Sequence, residues 1–78
     1  MITAKNLERA GFEGGEWVHE DDFKYRDWEI KANDNASIIV TETFCDKKTK
    51  FTSELKLEHG WHNLNIKTVT DLLKELLK

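Results

Sequence analysis

The sequence predicts an α+β domain: an antiparallel sheet of four or five strands, preceded by a short helix and followed by an amphipathic one, with both helices on one sheet face. Three observations carry this prediction. Residues 50–58, KFTSELKLE, alternate apolar and polar with period two, the pattern of a strand with one wet face. The C-terminal segment repeats valine and leucine at helical spacing, and turn-forming clusters divide the β-rich middle. A chain of 78 residues makes one domain, 1–78, with a modest core, because so short a chain buries only about 60% of its unfolded surface.

The first helix is marked at both ends. Thr3 is placed to cap a helix over 4–10, with Ile2 and Leu7 spaced as a hydrophobic staple. Gly11 falls where a left-handed residue ends a helix, and Phe12 can pack back on Leu7. Gly14-Gly15 reads as a turn, and EWVH as a short strand. In FKYRDWEIKA, Phe23 and Tyr25 share one face while Trp28, Ile30 and Ala32 share the other, so a bulge near Arg26-Asp27 is expected. NDN at 33–35 is a turn. SIIVTETF places Ile38, Val40, Glu42 and Phe44 on one face, DKKT turns the chain, and the following strand points Phe51, Ser53, Leu55 and Leu57 inward. Gly60 bends the chain into a last strand, WHNLNI, that aligns His62, Leu64 and Ile66. Thr68 is the expected cap of a final helix whose stripe is Val69, Leu72, Leu73, Leu76 and Leu77.

Composition excludes several classes. Hydrophobic residues at 38% and charged residues at 35% fit a folded soluble chain rather than a disordered one. The longest apolar run is Ile38 to Val40, too short to cross a membrane. No apolar stretch follows the N-terminal charges, so no secretory signal is read, and the single Cys45 fits a reducing compartment or simply a cysteine-poor protein. The net charge of −3 argues against a general nucleic-acid binder. The charge is uneven: residues 13–22 carry five acids and no lysine or arginine, whereas 46–50 carry three lysines.

Catalytic and metal signals are thin. His59 and His62 in HGWH are the leading candidates for a metal site, to which His19, Glu20, Asp21 and Asp22 could add ligands. The spacing of the two HGWH histidines converges on a helix face but not along a strand, and Gly60 speaks against a helix. A turn explains them better, and no cofactor is implied. Cys45 lies beside Asp46, which raises a thiol pKa, so it is not read as a nucleophile. No phosphate loop or serine motif occurs. The chain is therefore read as not an enzyme.

The aromatic residues are the stronger signal. Trp28 matches the apolar face and belongs to the core. Trp17, Tyr25 and Trp61, together with the acids Glu20, Asp21 and Asp22, are the candidate partner-binding residues, because exposed aromatics anchor protein interfaces. The alternative is a single-stranded nucleic-acid-binding module in which the same rings stack bases. It requires the lysines to share their face. A homodimer through an exposed strand edge is compatible with either reading.

The opening TAKNLERAGFE, the sheet-like middle and the closing IKTVTDLLKELLK together resemble a group of small uncharacterised proteins encoded by phages and prophages, over most of the chain. The motifs are structural and bring no catalytic residue. The resemblance implies an accessory factor, of a kind that includes anti-defence inhibitors, acting on a host or phage protein in the cytoplasm of the host cell.

Overall fold

A computed structural model describes residues 2–77. Its elements are α1 (Ala4–Arg9), β1 (Glu13–Gly14), β2 (Val18–His19), β3 (Phe23–Asn33), β4 (Ala36–Cys45), β5 (Lys48–Leu57), β6 (Gly60–Leu64) and α2 (Ile66–Leu76). The strands form one antiparallel sheet in the order β1-β3-β4-β5-β6, with β2 also paired to β3. The α+β class holds.

The sheet has six strands rather than four or five. The difference lies in Gly14, expected in a turn but found in β1 opposite Trp28. A Cβ at Gly14 would stand 2.8 Å from the Trp28 ring, so only glycine lets the indole lie against this strand.

The expected bulge in β3 is absent. β3 pairs with β4 without interruption through Arg26 and Asp27, and the register shifts only between Lys31 and Asn33. The extra residue sits across from it, on the edge. Residues 15–17 stand opposite Arg26 and Asp27 alone, between the Gly14–Trp28 and Val18–Tyr25 pairs. Phe23 and Tyr25 keep strand phase and face away from Trp28, so their side chains need no kink.

Local chemistry builds α1 as read. Thr3 Oγ1 accepts from the Asn6 N–H at 3.1 Å. At the other end Phe12 N–H donates to the Leu7 carbonyl and Gly11 N–H to Glu8, with Gly11 at φ 103°. These two bonds form a Schellman ending, which satisfies carbonyls that the helix leaves open. α2 starts earlier than Thr68 would allow. Asn65 caps it, its Oδ1 accepting from Lys67 N–H at 2.8 Å. Ile66 thus leaves the last strand and joins Val69 and Leu73 at helical spacing. The stripe is only partly buried: Leu76 is 46% exposed.

Three two-residue turns join the long strands. Asn35 N–H donates to the Asn33 side chain at the first. Asp46 (φ 51°) and Lys47 (φ 64°) both take left-handed backbone at the second, the type I′ geometry that suits strand twist. Glu58 and His59 form the third, before Gly60 at φ 157°.

The core gathers both ends of the chain. Ile2, Leu7 and Phe12 pack with Trp28, Val40, Val69 and Leu73, and Leu7, Val40 and Val69 are inaccessible to solvent. Each such side chain contributes about 1.5–3 kcal/mol by leaving water.

Candidate functional site

Period-two geometry and the register fix which side chains share a face. Trp28 and Val40 are paired and belong to the core cluster. The opposite, outer face carries Phe23, Tyr25, Asp27, Glu29 and Lys31 from β3 and Ile39, Thr41, Thr43 and Cys45 from β4. It also carries Lys48, Lys50, Thr52, Glu54 and Lys56 from β5, and Trp61 and Asn63 from β6.

Aromatic groups stand at the two ends of this face. Phe23 and Tyr25 stack with centroids 6.2 Å apart, and Phe23 is 41% exposed. Trp61 is 54% exposed, with the Lys56 ammonium 5.4 Å from its ring centroid. Between them, the Thr41 hydroxyl donates to Asp27 at 2.7 Å. A shallow depression runs from Glu13, Asp27 and Glu29 over Ile39 to Lys56 and Trp61. Ile39 is buried although it faces outward.

The sequence-derived contact set is therefore divided. Tyr25 and Trp61 lie on the outer face. Trp17 lies on the other side, with the Lys24 ammonium and the Arg26 guanidinium each 4.5 Å from its ring. Arg26 also covers Trp28 at 4.6 Å and donates through Nε to Glu42 Oε1 at 2.7 Å. The Trp28 indole donates to the same oxygen at 3.0 Å. Glu42 is thus a buried carboxylate held by a cation and an indole, a packing device. Glu20, Asp21 and Asp22 are exposed in the loop between β2 and β3, next to the Phe23–Tyr25 end.

His59 is exposed in the β5–β6 turn, and His62 is exposed on β6 opposite Leu55. Among the described residues no group of three or more His, Cys, Asp or Glu could hold a metal ion. Burial, then Asp46 and Asp22, push the Cys45 thiol pKa up. That keeps the sulfur protonated and weakly nucleophilic.

The sequence-derived contact set left out Phe23 and Ile39, although strand phase already separated both from the core face. The signal was present: SIIV is apolar on both faces, and Phe23 and Tyr25 alternate in phase. No described helix is long and apolar enough to cross a membrane. Compared with known proteins, the chain matches no protein-family model, no curated protein and no solved structure.

Proposed function

We propose that this chain is a non-enzymatic protein-binding domain whose contact surface is the outer face of the sheet, with both helices packed on part of the other face. One observation carries the reading: the outer face presents Phe23 and Trp61 to solvent at its two ends, with Tyr25 half-buried and stacked on Phe23, around a threonine-lined, charge-mixed middle. Exposed aromatics of this kind anchor interfaces, and a rigid sheet holds them at low entropic cost. The acidic corner Glu20–Asp22 borders the Phe23–Tyr25 end and favours a partner with a basic patch. In the phage context that the sequence resembles, the partner is a host or phage protein in the host cytoplasm, and occupation of its basic site gives inhibition, as in an anti-defence factor.

The test is affinity capture with the wild type and with a Tyr25→Ser/Trp61→Ser variant. A partner should be retained by the wild type and lost, by at least about tenfold, in the variant. Equal capture by both would remove the outer face from consideration.

A second reading, single-stranded nucleic-acid binding, is favoured by the sharing of this face between the aromatics and Lys31, Lys48, Lys50 and Lys56. Glu13, Asp27, Glu29 and Glu54 lie on the same face and offset those charges. Lys24 and Arg26 face the other way. Salt-dependent binding of a labelled oligonucleotide would support this reading, and no binding at low salt would eliminate it.

A further inference from the structure

The two edges of the sheet are built differently. On one side the edge is broken into the dipeptides β1 and β2, with an extra residue between them and Glu13, Glu16 and Glu20 along it. Short, irregular and charged strands discourage pairing. On the other side β6, GWHNL, is regular over its length and contains no charge and no proline.

The β5–β6 turn determines what that edge offers. A two-residue turn makes Leu57 and Gly60 a hydrogen-bonded pair, and pairs then alternate. Leu55–His62 and Ser53–Leu64 are bonded, while Lys56–Trp61 and Glu54–Asn63 are not. The backbone N–H and C=O groups of Trp61 and Asn63 therefore point outward, away from β5.

We propose that β6 pairs antiparallel with β6 of a second copy of this chain, about a two-fold axis at His62. This register alone uses the outward groups of Trp61 and Asn63 on both copies: Trp61 faces the second copy's Asn63, and Asn63 its Trp61. A register shifted either way would need turn residue His59 or the helix cap Asn65. Charge also fits a second copy. On the outer face each row across the joint begins at Lys56, passes Trp61 and the second copy's Asn63, and ends at that copy's Glu54. No row joins like charges. The joined molecule is isologous, carries a continuous sheet and presents two copies of the outer face side by side. The inference does not depend on what that face binds.

Sedimentation across a concentration series tests it. The wild type should pass from the 9.2 kDa monomer to twice that mass as concentration rises. Asn63→Pro removes an outward N–H without touching a β5–β6 bond, and should stay monomeric with an unchanged circular dichroism spectrum. In a Cys45→Ser background, His62→Cys should form a disulfide-linked dimer on mild oxidation, because self-opposed residues of a non-bonded pair approach within disulfide reach. Asn63→Cys, opposed to Trp61, should not. A wild type that stays monomeric at millimolar concentration overturns the proposal. So does a dimer that survives Asn63→Pro, or cross-linking through Asn63→Cys in preference to His62→Cys. If a foreign extended peptide protects the Trp61 and Asn63 amides while the wild type stays monomeric, the edge takes another chain and the proposal falls.

Discussion

Glu42 shows how one residue can be misjudged by its type. It lies at an inward position of β4 and is only 8% exposed. Arg26 Nε at 2.7 Å and Trp28 Nε1 at 3.0 Å both donate to its Oε1, so the carboxylate enters the core with partners already in place. Removing one member of such a group costs more than the group contributes, because the others are left unpaired. Glu42→Ala should lower stability by about 3 kcal/mol, as read by urea denaturation, and Glu42→Gln by less, since its carbonyl can still accept. A cost below about 0.5 kcal/mol would assign the trio to the surface-pair class. Cys45 provides a pH-dependent case. Its thiol pKa is raised by burial first and then by Asp46 and Asp22. The folded chain therefore holds its proton to higher pH than the unfolded one. The associated stability is complete below the unfolded thiol pKa of about 8.5 and is lost as pH rises through the raised folded value. Relative to Cys45→Ser, the wild type should lose stability with rising pH above that point, and iodoacetamide should alkylate it more slowly than a free thiol at pH 8.5.

At the scale of elements, what was legible depended on how local its cause is. Both ends of α1 could be read because Thr3–Asn6, Gly11–Glu8 and Phe12–Leu7 are bonds within a few residues. The alternation of β5 and the faces of β4 were legible for the same reason. The start of α2 was not, because Thr68 and Asn65 are both good caps. The choice went with Ile66, which the Asn65 cap places at helical spacing with Val69 and Leu73 against the core. The place of Gly14 in a strand was hidden because its cause, the Trp28 ring, lies on the neighbouring strand. Of the candidate contact residues, Tyr25 and Trp61 could be assigned to a face by phase alone. Trp17 follows an irregular edge, and its position depends on Lys24 and Arg26 of β3. The β4–β5 turn gives a direct test of local causes. Lys47 holds φ at 64°, where a Cβ costs roughly 1–2 kcal/mol and glycine costs nothing sterically. Part of that gain is offset by the greater entropy of glycine in the unfolded chain. Lys47→Gly should therefore stabilise the protein by about 0.5–1 kcal/mol, seen as a higher urea midpoint at unchanged slope. A destabilised variant would mean that the lysine side chain makes a contact worth more than the backbone strain.

At the scale of the molecule, the first and last elements contribute to one apolar cluster. Leu7 of α1 and Val69 of α2 are both inaccessible to solvent, and both belong to the cluster that holds Trp28 and Val40. Neither helix is long enough to persist in water unaided, since isolated helices under about 12–15 residues are marginal. Each needs the sheet. The sheet also needs them, because Trp28 and Val40 would otherwise face water. The molecule should consequently unfold as one cooperative unit. Leu7→Ala removes a fully buried side chain and should cost about 3 kcal/mol. The informative readout is which signals move. Helical circular dichroism reports α1 and α2, while tryptophan fluorescence reports the buried Trp28 along with Trp17 and Trp61. In a single cooperative unit Leu7→Ala lowers both urea midpoints by the same amount. If α1 were only an appendage on a self-sufficient sheet, the helical signal would shift and the fluorescence transition would stay in place. Coincident transitions are expected here because the mutated residue touches the cluster that joins both ends of the chain, so its loss is felt by every layer at once.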